Sequence, residues 1–374
     1  MKRFHCIFLL VLILALCSAG CTTQQKSGTD IQNPVSVTPF PDNSSNPISA
    51  SGPMTQAAAP PANTTKKQEQ LAAFADSIRK IRDTGTTPVI DFEFHYGGMD
   101  TEKILDNMRR NGVALTLLGP NEKQGSEESL RLNNLYPDKF VPTTVHGDGP
   151  LWHGNDTGFI KKLDSDVRSG NYFAMGEFEA RHYPSNTNNR DVHKPLDSPD
   201  FVVIFKASGD TDIPFLIHHE AEDAMLPELE HMLTKYPKAK VIWCHFGRNR
   251  NPLTWTRFTT PDTAREYLKN YPNLYFDLVQ SPPGSKYQTG YPDGIMYDTS
   301  RNPAVLKPEW KAVIEDYPDR FVLGTDINGG RFDSYDQVIK IFRQNILPGL
   351  SKETAEKVAY KNAWKLMTGQ DWKE

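Results

Sequence analysis

The stretch V-I-D-F-E-F-H-Y-G-G, residues 89–98, combines two patterns that an ordinary strand does not carry together. Its apolar residues are typical of a buried strand, while its ionisable residues Asp91, Glu93 and His95 fall on one alternating face. Burying charged groups is costly unless they are paired or coordinate a metal ion. The stretch therefore predicts a buried strand whose polar face points toward a functional site.

Seven further apolar runs follow along the chain, and helical patterns separate them. Short apolar runs bounded by turn residues are typical of strands, whereas apolar residues spaced three and four apart are typical of helices. We expect strands at residues 113–118, 140–145, 172–178, 214–217, 240–244, 274–279 and 320–324. We expect helices at residues 68–82, 101–111, 127–135, 159–169, 224–235, 261–270 and 308–316.

A weak internal repeat supports this alternation. The dipeptide Tyr-Pro closes a helical pattern and precedes a strand at four places, beginning at Tyr136, Tyr236, Tyr271 and Tyr317. Proline cannot continue a helix and biases the residue before it toward extended backbone. Eight strand–helix alternations in roughly 300 residues predict the α/β class and a (β/α)8 TIM barrel. The alternative is a doubly wound open sheet, but no G-x-G-x-x-G follows the first strand, which disfavours its nucleotide-binding form.

Polar residues stand where the predicted strands end, which is the active-site face of a (β/α)8 barrel. Five of the ten histidines lie there: His95, His146, His218, His219 and His245. Carboxylates join them at Glu93, Glu177, Glu179 and Asp326. Any one such histidine is more often a hydrogen-bonded or surface residue. Neutral imidazole and carboxylate together are the ligands of zinc, manganese and iron, so the cluster predicts a divalent metal centre.

Four segments at the predicted strands carry a recognisable set of motifs: residues 88–98, I-P-F-L-I-H at 213–218, V-I-W-C-H-F-G at 241–247 and F-V-L-G-T-D at 321–326. Together they resemble the metal-dependent amidohydrolase superfamily. They are most similar to the amidohydrolase 2 branch, which contains aminocarboxymuconate-semialdehyde decarboxylase and related acid decarboxylases and hydrolases. N-A-W-K-L at 362–366 resembles the C-terminal helix of that branch, so the resemblance covers about residues 85–370 in the correct order.

This resemblance implies a ligand set for a divalent ion, with zinc expected first and manganese or iron as alternatives. By position, the family's metal ligands fall on His95, His218 and Asp326. Glu93 replaces the first histidine of the usual H-x-H, and its negative charge should hold the ion more firmly and make it a weaker Lewis acid. His245 matches the strand-6 histidine that orients or activates water or substrate in this branch.

Several positions have two possible roles. His219 is the alternative to His218 as a ligand, because adjacent residues of a strand point to opposite sides and only one can face the barrel axis. Three residues are expected to bind substrate: His146, Arg248 and Glu177. Glu177 also matches the position where related branches place a residue between two metal ions. Asp91 is expected to stabilise the barrel rather than to bind the ion.

The implied activity is hydrolysis of a C–N or C–O bond in a small-molecule substrate by a metal-activated water. Asp326 is the expected general base, and His245 is expected to stabilise the developing oxyanion. A metal-dependent decarboxylase of a small aromatic carboxylic acid is the alternative within the family. A catalytically inactive, lipid-anchored binding protein is the alternative outside it.

The N-terminus is typical of an exported protein. Residues 1–20 have a basic start and an unbroken apolar run from Ile7 to Leu16, as in a signal peptide. The small residues before Cys21 resemble a prokaryotic lipobox, so acylation of Cys21 is expected, with ordinary cleavage near Gly20 as the alternative. Residues 21–66 are rich in Ser, Thr and Pro and predict a disordered tether, which leaves residues 67–374 as the barrel domain.

Composition narrows the expected partners. The net charge is −4 and no basic stripe is present, so nucleic acid is not an expected partner. The expected partners are a small-molecule substrate and the membrane, which the protein would reach through the lipid anchor. Cys244 is the one cysteine beyond the signal peptide and Cys21, so no intramolecular disulfide is expected.

Overall fold

The structure is a computed structural model that describes residues 62–184, 190–220, 222–248, 254, 256, 257, 260–279, 281–287 and 290–374. The predicted signal peptide and Cys21 lie outside these residues, as does the predicted tether up to residue 61. Among the helices of the described residues, none combines the length and the hydrophobicity of a membrane-spanning segment.

Eight parallel strands form the centre of the molecule. They are β1 (Val89–Tyr96), β2 (Val113–Pro120), β3 (Phe140–Pro142), β4 (Met175–His182), β5 (Phe215–His219), β6 (Val241–Trp243), β7 (Leu274–Asp277) and β8 (Phe321–Val322). Each strand lies where the sequence predicted one, within a few residues.

The strands close into a barrel. Backbone pairing is continuous from β1 to β3 and from β4 to β8, and single bridges join the two sets. Thr143 bridges to Ala174 between β3 and β4, and Phe94 bridges to Ile327 between β1 and the end of β8. The predicted (β/α)8 barrel is therefore confirmed, and the open-sheet alternative is wrong.

Helices follow the strands and cover the barrel. They are α1 (Ala62–Arg82), α2 (Thr101–Asn111), α3 (Glu127–Leu135), α4 (Pro150–His153), α5 (Thr157–Arg168), α6 (Pro199–Thr211), α7 (Leu226–Lys235), α8 (Pro261–Asn270), α9 (Pro308–Asp316), α10 (Tyr335–Ile341), α11 (Lys352–Glu356) and α12 (Asn362–Thr368). Helix α1 begins six residues before the expected position 68, so residues 62–66 of the predicted tether are helical. Helix α6 was not predicted, because its F-V-V-I-F run is as apolar as a strand.

The Tyr-Pro repeat marks helix ends as predicted. Tyr136, Tyr236, Tyr271 and Tyr317 are the C-caps of α3, α7, α8 and α9. Each tyrosine N–H donates to a helix carbonyl four residues earlier, at 2.9 to 3.2 Å. The following proline then ends the helix, because it has no N–H to donate.

Strand β4 is longer than predicted and runs on to His182. The reason is a short strand, Val192–His193, that returns antiparallel and pairs with Arg181 and His182. The segment that follows β4 therefore lengthens the wall of the barrel on this side.

Asp91 and Thr325 tie the first and last strands together inside the barrel. The Thr325 N–H and hydroxyl both donate to the fully buried Asp91 carboxylate, each at 2.8 Å. Burial raises the pKa of Asp91 to about 7 even though these hydrogen bonds act to lower it. Asp91 thus stabilises the barrel, as the sequence predicted.

Candidate metal centre

Strand β1 brings Glu93 and His95 to the mouth of the barrel on one face. The Glu93 side chain has no exposed surface, and its Oε1 lies 3.8 Å from His95 Nε2. The N–H groups of Thr325 and Asp326 donate to the Glu93 carbonyl at 3.1 and 2.9 Å, which fixes the end of β8 beside β1. The alternation that the sequence predicted therefore places both side chains toward the same interior point.

Asp326 enters from the end of β8 with a left-handed backbone, φ 52°. Its Oδ1 lies 3.3 Å from His95 Nε2. Arg331 donates to both carboxylate oxygens, at 2.9 and 2.6 Å. Burial would raise the pKa of Asp326, but Arg331 and His95 outweigh it and hold this pKa well below its usual range.

Glu177, on β4, lies between two groups of side chains. Its Oε2 lies 3.3 Å from His95 Nε2. Its Oε1 lies 3.0 Å from His218 Nδ1 and 3.5 Å from His245 Nε2. Burial acts to raise the pKa of Glu177, but the neighbouring histidines outweigh burial and hold it well below its usual range. An ionised carboxylate is thus surrounded by imidazoles on two sides.

His245 reaches this cluster through a second left-handed strand end, φ 70°. Its N–H donates to Asp277 Oδ1 at 2.7 Å, which holds the turn after β6 against the end of β7. Its Nε2 lies 2.9 Å from His218 Nδ1. Both rings therefore face Glu177 rather than the solvent.

The residues present fit a divalent cation. The ligand atoms of Glu93, His95, Glu177 and Asp326 lie within 4.8 Å of one another, and those of Glu177, His218 and His245 do the same. Both Glu93 oxygens and His95 Nε2 are buried without a hydrogen bond of good geometry to any described residue. Burial, followed by the charges of Asp277 and Glu177, raises the pKa of Glu93. A cation would relieve this repulsion and satisfy the orphaned atoms.

The predicted residues do not all meet at one point. Glu93, His95 and Asp326 come together as expected, but His218 lies on the far side of Glu177. Glu177, for which the sequence left both substrate binding and a position between two metal ions open, lies between the two ligand groups. His219 points away from the cluster and packs its ring on Trp243, with ring centres 5.5 Å apart.

A cavity of about 590 Å³ opens onto the cluster. His146 lines it, and its ring lies edge-on to that of His95 with centres 4.0 Å apart. A Cβ on Gly119 would fall 1.6 Å from His146 Nε2, so only glycine leaves room for this ring. His146 therefore lies where it was expected, beside any molecule that occupies the cavity.

Arg248 does not line this cavity. Its side chain is mostly buried, and its Nε donates to Asp293 at 2.9 Å. Two arginines that the sequence reasoning missed, Arg190 and Arg331, line the cavity instead. Arg331 follows the G-T-D motif by five residues, and that proximity was the available signal. Arg190 had no such signal, because it comes from the long insert after β4.

The fold and this cluster of imidazoles and carboxylates define a barrel enzyme that uses a divalent metal ion. Residues 181–367 match the amidohydrolase family model Amidohydro_2, which is half of the chain, and the protein belongs to this family. A search of curated proteins finds no match.

Solved structures of similar fold include enzymes with different reactions. A 4-oxalomesaconate hydratase from Rhodopseudomonas palustris is 16% identical, covering 75% of this chain and 95% of its own, with a TM-score of 0.49. A dihydroxybenzoic acid decarboxylase from Polaromonas sp. with bound manganese is 15% identical, and the match covers 75% of this chain and 97% of the decarboxylase, with a TM-score of 0.46. An amidohydrolase from Burkholderia multivorans with bound zinc is 13% identical, and the match covers 75% of this chain and 98% of that amidohydrolase, with a TM-score of 0.47.

Proposed function

We propose that the protein hydrolyses a C–N or C–O bond of a small molecule and that zinc is its metal. The observation that carries this proposal is the set of buried, orphaned ligand atoms on Glu93 and His95, which lie beside Asp326 at the floor of an open cavity. A divalent ion held there supplies Lewis acidity and a water of lowered pKa. The cavity volume is in the usual range for small-molecule sites.

The side chains divide the work by position. Glu93, His95 and Asp326 would hold the ion, and Asp326 would accept the proton of the attacking water. Arg331 orients Asp326 through its two contacts with the carboxylate. His146, which lines the cavity, would contact substrate from its wall. His245 and His218 face Glu177, so these three residues would hold a second ion, and Glu177 belongs to both ligand groups.

Decarboxylation of a small carboxylic acid is the second candidate. Arg190 and Arg331 both line the cavity, where guanidinium groups can bind a carboxylate in a bidentate manner. Each is also paired with a protein carboxylate, Arg190 with Glu179 and Arg331 with Asp326. A substrate carboxylate would share these groups.

A paired assay separates the two reactions. The zinc-loaded protein is tested against a panel of esters, lactones and amides, and in parallel against aromatic acids with released CO2 as the readout. Hydrolysis without CO2 release, abolished in Asp326→Asn, is the expected result. The matched control is Asp336→Asn, because Asp336 pairs with Arg110 at the surface, away from the cavity. CO2 release alone would favour the decarboxylase.

Metal analysis tests the binding-protein alternative. We expect bound zinc that a chelator removes together with activity, and fewer ions per chain in Glu177→Gln than in the wild type. A protein that contains no metal and is indifferent to chelator would instead support a role in solute capture.

We also propose that the protein is an exported lipoprotein anchored through Cys21. The support is the basic start, the apolar run and the small residues before this cysteine. Two or more acyl chains give durable anchoring, whereas one chain binds marginally. Labelled palmitate should enter the wild type and Cys17→Ser but not Cys21→Ser. Equal labelling of both variants would exclude acylation at Cys21.

A further inference from the structure

We infer that Glu220 is a positioning residue that fixes His218 in the tautomer able to bind metal through Nδ1. The inference rests on the proposed metal site and adds to it a residue that follows β5 directly. It concerns the side of the cluster formed by His218, His245 and Glu177.

The two nitrogens of the His218 ring face different partners. Nδ1 lies 3.0 Å from Glu177 Oε1 and 2.9 Å from His245 Nε2, inside the ligand cluster. Nε2 lies 3.2 Å from Glu220 Oε1, on the opposite side of the ring. His218 and Glu220 are both buried, with 5% and 4% of their surface exposed.

Only one assignment of the proton satisfies these contacts in a metal-loaded site. A neutral imidazole carries one N–H, and an ionised carboxylate can only accept. The proton therefore belongs on Nε2, where it is donated to Glu220. This leaves the lone pair on Nδ1, pointing toward Glu177 and His245. A carboxylate behind a ligating histidine fixes the orientation of the ring and increases its basicity.

The surrounding backbone holds Glu220 in place for this role. Its N–H donates to the Arg181 carbonyl at 3.0 Å, which extends the pairing of β5 with β4 by one residue. The His182 ring stacks on one face of the His218 ring, with ring centres 4.9 Å apart. His218 is thus held in its plane by His182 and at its edge by Glu220.

Glu220→Met and Glu220→Gln test this role, with Glu222→Gln as the matched control. Glu222 lies two residues further on, carries the same charge and pairs with Arg181 at 3.0 Å instead of with His218. The probe is zinc alone, competed with a chromogenic chelator. At the site formed by Glu177, His218 and His245, we expect about 10- to 100-fold weaker zinc binding in Glu220→Met. We expect an intermediate loss there in Glu220→Gln, whose amide oxygen can still accept, and no change in Glu222→Gln.

Long-range proton–nitrogen NMR of the zinc-loaded protein gives a second readout. The wild type should show His218 protonated at Nε2 and bound to zinc through Nδ1, and Glu220→Gln should show a mixed or altered pattern. A purely structural role would not move this signature. Melting curves identify any variant that fails to fold, and Glu220→Gln then carries the test.

Three results would overturn the inference. If the wild type binds zinc and Glu220→Met or Glu220→Gln binds it equally well, Glu220 has no positioning role and the proposed function stands. If His218 binds zinc through Nε2, or if His182 and Glu220 themselves ligate an ion with it, the assignment to Nδ1 is wrong. If the wild type binds no zinc, the proposed function fails as well.

Discussion

His218 and His219 are neighbours on β5, yet they lie in opposite environments. His218 points into the barrel mouth, where Glu177 and Glu220 contact its two nitrogens. His219 points into the barrel wall beside Trp243, and neither ring nitrogen makes a hydrogen bond of good geometry to a described residue. Both are buried to a similar degree.

The contrast appears directly in their acid–base behaviour. Burial alone lowers the pKa of a histidine, and it lowers that of His219 to about 4. Burial acts on His218 in the same direction, but Glu177 and Glu220 outweigh it and raise its pKa to about 9. The partners, rather than the residue type or the depth of burial, therefore decide what each histidine can do.

The largest expected difference is in stabilisation by metal. Zinc at about 1,000 times its dissociation constant should stabilise the wild type by about 4 kcal/mol. His218→Asn should lose the part of this gain that comes from an ion held by Glu177, His218 and His245, because it removes one of those proposed ligands, whereas His219→Asn should keep the whole gain. Urea unfolding with zinc and with chelator measures the gain for each variant. Equal gains in the two variants would contradict the assignment of His218 to the metal.

The pH dependence of stability in chelator should separate the two residues next. The folded-state pKa of His218 is raised from 6.5 to about 9. Its stabilising contribution to the free energy of unfolding is therefore complete below pH 6.5 and is lost as the pH rises to 9. The pKa of His219 is lowered from 6.5 to about 4, so its contribution is complete above pH 6.5 and is lost as the pH falls to 4. Each contribution is worth about 3 kcal/mol.

Urea midpoints across this pH range provide the measurement. His218→Asn should flatten the alkaline side of the profile and leave the acid side, and His219→Asn should do the reverse. Profiles that change on the same side in both variants would show that the two environments are not distinct.

The smallest expected effect comes from replacing His219 with an apolar ring. His219→Phe keeps the aromatic contact with Trp243 and removes two poorly satisfied buried nitrogens, so it should raise the free energy of unfolding by about 1 kcal/mol at pH 6. His218→Phe in the same assay should lower it, because Glu177 and Glu220 would lose their partner. A loss of stability in His219→Phe would indicate that its nitrogens have partners after all.

The sequence predicted the fold and the inner residues of the strands well, because both follow from local rules. Two-residue alternation places Glu93 beside His95, and it also separates His218 from His219. The Tyr-Pro dipeptides located four helix ends, since the restriction on the backbone before proline is local.

Contacts between residues that lie far apart in the sequence could not be predicted from such local rules. Glu177 lies at the centre of the cluster because its two oxygens meet side chains from β1, β5 and β6, and no spacing along the chain encodes that meeting. Arg248 donates a hydrogen bond to Asp293, which lies in a loop 45 residues further along the chain. Arg331 turns back onto Asp326 through the short turn Gly329–Ser334, a geometry that its position after the strand does not specify.

The seam where β1 meets β8 has a consequence for synthesis of the protein. The contacts that place Glu93 beside Asp326 join residues 232 positions apart, so they form only after nearly the whole domain has left the ribosome. A nascent chain that ends before β8 lacks Asp326 and the Arg331 that supports it. An ion held by Glu93, His95 and Asp326 would therefore bind late in biogenesis, because a chain truncated before β8 lacks one of these three ligands.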